Sequence, residues 1–493
     1  MTSTATPTER DQPLPAPDDP HLGAREQIRW FGLLWLVAMV AHHTDGVPNV
    51  PTGAIPVIVL ALPLLVWPSS GAALLLLVGG VAVQAAMALP GIANHMVLAL
   101  LVGIGFGLTS LYVLVLERRS PSGTPFGVRL FSYARTPIGL TLVVVYAFTT
   151  FHKLNTAFFD PVNSCATHLM SQLFNRNGLP EPGLPPFVLL GSAVGTIIVE
   201  TAIVVCFAVP KLRRFGLPLG VGFHGLLAWA SFYDFAAAVY ALYLLLIPTS
   251  AFAAVAKRAP NLPMWSLIAF FAHVLLAFTT SLSGTEQTSF GLHWHTVLVV
   301  TWFLAVWPVM LLLCRAVWTS DRRTPFPGWS WKPAVLLLIP VLAFVNGATA
   351  YVGLKTVANY SMFSNLHTEN GQSNHLIPGI SALQVFHYQD DPVTVLSMRA
   401  EVDTGVVNPK WMREQSPQVV PLQELRRLTQ LWKDAGLTGD RAVAVRYERA
   451  GRTVDVPDAV ADPVLGAPMP WWERKLMSFR ALTSPEGPDI CRW

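Results

Sequence analysis

The sequence predicts a mainly α fold: a polytopic transmembrane helical bundle of about eleven spans, with a small C-terminal α+β domain outside the membrane. Three observations predict it. Only 13% of the 493 residues are charged and 52% are hydrophobic, whereas a soluble domain carries about 25% charge. Apolar runs of about 17 residues or more, the practical minimum for a span, recur as far as residue 353 and then stop. Between those runs, Lys and Arg gather in loops that lie two runs apart, the pattern of cytoplasmic loops. The net charge of +4 therefore reports topology. No basic patch interleaved with aromatics suggests nucleic acid.

Residues 1–27 are polar, Pro-rich and of mixed charge, which predicts a disordered cytoplasmic tail. They lack the apolar core and small-residue cleavage site of a signal peptide, so the run from Ile28 is expected to be an uncleaved span. The membrane domain covers 28–354. Its spans are expected at 28–44, 52–67, 71–89, 92–116, 137–153, 187–209, 215–232, 235–256, 263–281, 294–315 and 333–353. The second and fifth are short or marked by proline, which neighbouring helices accommodate within a membrane.

Arg118, Arg119, Arg129 and Arg135 mark one inside loop, and Lys211, Arg213 and Arg214 a second. Lys257 with Arg258 marks a third, and Arg315, Arg322, Arg323 and Lys332 a fourth. All four fall on one side when the N-terminus is cytoplasmic. The chain after about residue 354 is then extracytoplasmic. Of thirteen histidines only His21 is placed inside. His42, His43, His95, His152, His224, His273, His293 and His295 all lie toward the outer side. Lys153 does too, and between residues 30 and 332 it shares that side with one other cation, Arg176. Histidine tolerates interfaces, but convergence from several helices points to a shared outer-leaflet site.

Candidate chemistry follows from that side. In "VVVYAFTTFHKLNTAFFDP" (143–161), helical spacing puts Tyr146, Thr149, Thr150 and Lys153 on one stripe, with His152 a quarter turn away. Lys153 either snorkels to headgroups or is a desolvated amine able to act as a base. Glu200 sits mid-span, where ionisable groups are expensive; it is a functional group or a hydrogen-bonded structural one. Asn94 and His95 offer a donor–acceptor pair and a titratable ring, or a helix cap. "HHTD" (42–45) and "HWH" (293–295) carry imidazoles. Neither run sets ligands on one helical face, so no metal site is expected. Phosphate-cradling Gly loops, nucleophile elbows and CxxCH signatures do not occur.

The C-terminal domain covers 355–493. "NYSMFSNLHTENGQSNHL" (359–376) is polar and turn-rich, either a lid over the site or a lead-in to the domain. "LQVFHYQDDPVTVLSMRAEV" is expected to form two strands about an Asp-Asp-Pro turn. "PLQELRRLTQLWKDAG" predicts an amphipathic helix with Leu422, Leu425, Leu428 and Trp432 on one face, stopped at Gly436. "RAVAVRYERAGRTVDV" predicts a hairpin about Ala450 and Gly451. "MPWWERKLMSF" sets paired tryptophans beside basic residues, as interfacial segments do. Cys165 and Cys491 both fall outside, where disulfides persist, and are expected to pair.

Together "NHMVLALL", "YAFTTFHKLNTAFF" and "VETAIVVCFAVPKLRRFGLPLGVGFHGLLAWASFYDF" resemble the vitamin K-dependent gamma-carboxylase family, whose bacterial members are often called HTTM-domain proteins. The resemblance covers about residues 25–350. It implies that Lys153 is the base that deprotonates reduced vitamin K, with Asn94 and His95 beside the quinone and His224 matching a Phe-His histidine. His224, His152, Tyr146 and Glu200 are the candidate substrate-binding residues. The implied cofactor is a quinol of menaquinol or phylloquinol type, with O2 and CO2 as co-substrates. Oxygen adds to the deprotonated quinol, and the resulting alkoxide takes a proton from a glutamate that captures CO2. The implied partners are membrane lipid, the quinone and a secreted or outer-side protein bearing glutamate. The chain departs from the family where Asn155 and Phe158 stand near an acidic residue and a tryptophan, and where Met96 and Val97 follow the Asn-His pair. A non-catalytic transporter or binding platform, or a quinone or lipid site without carboxylase activity, are the alternative readings.

Overall fold

A computed structural model describes residues 19–44, 53–115, 123–283, 287–288, 290–320, 325–369, 372–400, 417–482 and 491. Residues 1–18 of the expected tail and Asp45 of the "HHTD" run lie outside the described residues.

The membrane domain is built from α1 (Leu22–Thr44), α2 (Ala54–Val66), α3 (Gly71–Ala88), α4 (Asn94–Val115), α5 (Phe126–His152), α6 (Cys165–Asn175) and α7 (Pro186–Ala208). It continues through α8 (Arg213–Leu227), α9 (Tyr233–Leu244), α10 (Thr249–Arg258), α11 (Leu262–Ser283), α12 (Trp294–Thr319) and α13 (Leu338–Ala348). Among the described residues, seven helical stretches are long and apolar enough to cross a membrane; α2 and Ala334–Ala348 are shorter apolar helices. The eleven expected runs all reappear as helix, but not all at spanning length.

Four boundaries differ from expectation. The first helix starts at Leu22, inside the expected tail, because Gln27 is drawn into the bundle and donates from Nε2 to the Leu244 carbonyl at 2.6 Å. The fifth starts at Phe126 rather than 137, giving 27 residues; Pro137 sits within it without ending it, as packed membrane helices allow. The run expected as one span at 235–256 is two helices, α9 and α10, separated at Pro248. Residues 384–389 form no strand, so the Asp-Asp-Pro turn has a strand on one side only.

Continuous helical conformation from Pro210 to Leu244 conceals a reversal. The Tyr240 hydroxyl donates to the Val221 carbonyl at 2.6 Å, and Gly220 abuts the Tyr243 ring, where a Cβ would stand 2.5 Å from the hydroxyl oxygen. In a straight helix residues 220 and 243 would be ~35 Å apart. The chain therefore doubles back through a π-helical turn at Ala228–Phe232. The returning helix α9 is 12 residues long and its side chains are almost entirely buried. At about 18 Å it is too short to cross a ~30 Å hydrocarbon layer alone. Helix α1 runs antiparallel to it, with Gln27 at the Leu244 end and His42 at the Asp234 end.

The C-terminal domain carries an antiparallel sheet of order β2-β1-β3-β4, with β1 (Pro392–Arg399), β2 (Gln418–Pro421), β3 (Ala444–Arg449) and β4 (Arg452–Val456). The last two form the expected hairpin, with Ala450 and Gly451 at φ 48° and 73°, the left-handed pair a tight hairpin turn needs. Helix α14 (Leu422–Asp434) buries Leu422, Leu425, Leu428 and Trp432 against the sheet and is followed by Gly436 at φ 69°. A short helix, α15 (Trp471–Leu476), meets the bundle where Lys475 Nζ donates to the Met87 and Leu89 carbonyls at 2.9 and 3.2 Å. Cys165 and Cys491 are bonded, as expected.

Candidate functional site

A cavity of about 880 Å³ opens among α1, α4, α5, α6, α7, α8 and α9, at the end of the bundle that faces the C-terminal domain. Asn94, His95, Tyr146, Lys153, Glu200 and His224 all line it. Six of the seven side chains singled out from sequence thus meet in one space, although they come from four separate helices. Its size falls in the range of small-molecule sites, and Leu98, Leu142, Phe223 and Phe235 make much of the wall apolar.

Lys153 is the residue on which α5 ends. Its side chain turns back along the stripe and donates to the Thr149 carbonyl at 3.2 Å and to Glu200 Oε1 at 3.1 Å, with Oε2 at 3.0 Å. Both partners are nearly buried, at 5% and 7% exposure. Neither is snorkelling to water. A buried lysine without a counter-charge would be very costly, and the mid-span glutamate supplies that charge. Two turns earlier, the Tyr146 hydroxyl contacts both His224 Nε2 and the Tyr243 hydroxyl. His224 Nδ1 is buried with no hydrogen-bond partner among the described residues, as for a group whose partner is a bound ligand or water.

On the facing wall, His95 Nε2 lies 2.7 Å from His42 Nδ1 and 3.2 Å from Asp234 Oδ2. His42 Nδ1 is 3.5 Å from the same oxygen. Asn94 does not cap its own helix. Its Oδ1 accepts the Tyr360 backbone N–H at 2.5 Å and ties a covering strap to α4.

That strap is residues 355–366, which overlap the first part of the turn-rich segment 359–376. Val357, Ala358, Met362 and Phe363 line the cavity. The strap is held from the other side by the Ser478 carbonyl, which accepts from Thr356 and Val357. Ala358, Tyr360, Phe363 and Asn365 adopt φ between 52° and 70°, a left-handed conformation that residues other than Gly and Asn seldom take. Such clusters persist only where surrounding contacts enforce them. At its base, burial pushes the Lys355 ammonium down to about 8. Beyond it, burial opposes the Glu369 carboxylate, yet Arg480 and His367 hold its pKa below the usual value.

His152 is the exception. It is fully buried but packs between Phe148 and Tyr351 and does not line the cavity. The quarter turn separating it from Lys153 aims it into the core. The "HWH" histidines also stay apart, His293 near Gln287 and His295 near the Trp229 carbonyl. Sequence reasoning missed Asp234 and Tyr243. Asp234 was placed in a loop between two expected spans, and the π-turn instead carries it into the bundle. Tyr243 needed the α8–α9 reversal to be known.

No protein-family model matches the chain, and neither a curated protein nor a solved structure matches it.

Proposed function

We propose that the chain is an integral membrane enzyme that deprotonates a reduced quinone at an outer-leaflet site, with Lys153 as the base. The observation that carries this reading is the Lys153–Glu200 pair, buried within a largely apolar cavity beside Tyr146 and His224. The pair works as a unit. As the quinol O–H bond breaks, Lys153 takes its proton and passes one of its own to Glu200. The products are the quinolate, an ammonium beside it and a neutral carboxylic acid. Total charge is unchanged, which matters where charge is poorly solvated. Tyr146, His224 and Asn94 are the polar groups available to orient the ring oxygens.

The resemblance to the vitamin K-dependent gamma-carboxylases extends the proposal: O2 adds to the quinolate, an epoxide forms, and the reaction drives carboxylation of glutamate by CO2 on an outer-side protein. In this reading the chain crosses the cell membrane eleven times. The N-terminus is cytoplasmic and the C-terminal domain extracytoplasmic.

Purified protein supplied with menaquinol or phylloquinol and O2 should form the quinone epoxide. Lys153→Ala should lower the rate at least ~100-fold, the usual scale for loss of a general base. Equal turnover by that variant refutes the role. Carboxyglutamate found by mass spectrometry in co-expressed outer-side proteins would establish the coupled step. Epoxide without it would leave a quinol-oxidising enzyme.

A further inference from the structure

His42, His95 and Asp234 come from the end of α1, the start of α4 and the start of α9, and their ligand atoms meet at one point on the cavity wall. We propose that these three residues bind a divalent first-row transition-metal ion, with open coordination positions facing the cavity. This goes beyond the quinol reading and does not depend on it.

Counting hydrogens motivates the proposal. His42 Nδ1, His95 Nε2 and Asp234 Oδ2 form a triangle with edges of 2.7, 3.2 and 3.5 Å. An ionised carboxylate brings no hydrogen. If both ring nitrogens carry one, the two N–H groups collide along the shortest edge. If only one of them carries a hydrogen, that N–H serves two edges and leaves the other nitrogen and Asp234 facing each other as two acceptors. A cation at the centre satisfies all three lone pairs at once. Metal–ligand bonds of about 2.0–2.2 Å at angles of 90–109° need ligand separations of about 2.8–3.6 Å; the 3.2 and 3.5 Å edges fall in that range and the 2.7 Å edge is just below it.

The donor set narrows the ion. Two imidazoles and one carboxylate suit iron, manganese, zinc or cobalt rather than calcium or magnesium, which prefer oxygen ligands. Three protein ligands with the remaining positions open is the arrangement of reactive rather than structural metal sites. The carboxylate is also held for the task. Asp234 Oδ1 accepts the Phe235 backbone N–H at 2.6 Å, which leaves Oδ2 to the ion, as outer hydrogen bonds orient metal ligands elsewhere. The π-turn at Ala228–Phe232 immediately precedes it, and such turns concentrate at functional sites.

The test uses the full chain, purified in detergent without a histidine tag, stripped with EDTA and reloaded with Co2+ or Zn2+. After desalting, elemental analysis should find about one ion per chain, and the Co2+ form should show visible d–d bands. Asp234→Asn and His42→Ala should each lose the ion at least ~10-fold, the scale for loss of a group that supports metal affinity. His42→Cys should retain Co2+ and add a thiolate-to-metal band in the near ultraviolet, a signature that a misfolded chain does not produce. Absence of a bound ion in the native sequence, or full retention by Asp234→Asn, overturns the proposal. So does a His42→Cys protein that keeps Co2+ without the thiolate band.

Discussion

Asn155 shows how one amide holds the site's cover in place. Its Nδ2 donates to the His152 carbonyl at 2.7 Å and to the Ser364 carbonyl at 2.6 Å, while Oδ1 accepts the Phe158 N–H at 2.9 Å. It also bridges to His375 through the backbone. A carboxylate here keeps the acceptor and loses both donors, so the acid that the resembling family favours near this place does not suit this strap. Asn155→Asp should leave two buried carbonyls facing a negative charge. The expected loss is about 2–6 kcal/mol, since each of the two orphaned buried groups costs ~1–3 kcal/mol. Thermal unfolding in detergent at neutral pH measures it, and an unchanged midpoint would remove Asn155 from this role. At this scale the Lys153 stripe was legible, because helical spacing alone joined it to Tyr146 and Thr149. Asn155 was visible only as a departure; the strap carbonyl it holds, that of Ser364, lies 209 residues further along the chain.

Helix α6 is amphipathic and short. Ala166, Leu169, Met170 and Leu173 on one face line the cavity. Ser164 caps its start by accepting the Ala166 N–H at 3.2 Å, and Cys165 in its first turn is bonded to Cys491. One wall of the site is thus tied to the end of the chain across 326 residues. Reductant should lower the thermal midpoint of the native sequence, by the equivalent of about 2–5 kcal/mol for loss of a native disulfide. It should have no effect on a Cys165→Ser, Cys491→Ser double variant; an equal shift in both would assign the effect elsewhere. This pairing was legible, since side-of-membrane reasoning left two cysteines where disulfides last. Helix α9 was not. "YDFAAAVYALYL" is apolar enough to be taken for part of a span, and nothing in its own pattern says that both its faces meet protein. Its reversal depends on the Gly220–Tyr243 contact, which composition does not reveal.

For the whole molecule, the cations of the membrane domain other than Lys153 and Arg176 gather at the end away from the cavity, and its histidines gather toward the cavity. Arg213 packs over Trp329 and donates to the Phe207 carbonyl at one end, while the cavity and the C-terminal domain occupy the other. The charge pattern along the chain predicted this segregation, but it could not predict which helices would be full length. Single cysteines introduced at Val162, which is 81% exposed, and at Arg258 test the orientation in a Cys206→Ser, Cys314→Ser background. An impermeant maleimide should label Val162→Cys in intact cells, and Arg258→Cys only after permeabilisation. The reverse pattern would turn the site toward the cytoplasm. The strap has a consequence for how the cavity fills. It covers the domain-facing end, whereas Ser192, Gly195 and Thr196 of α7 line the cavity and are part-exposed on the bundle's side. An occupant that arrives through that side comes from the bilayer. Occupancy then follows the occupant's mole fraction among the lipids rather than its molarity in water. Adding inert lipid to a fixed amount of protein and ligand would empty the site by dilution in two dimensions, with no change in any bulk concentration.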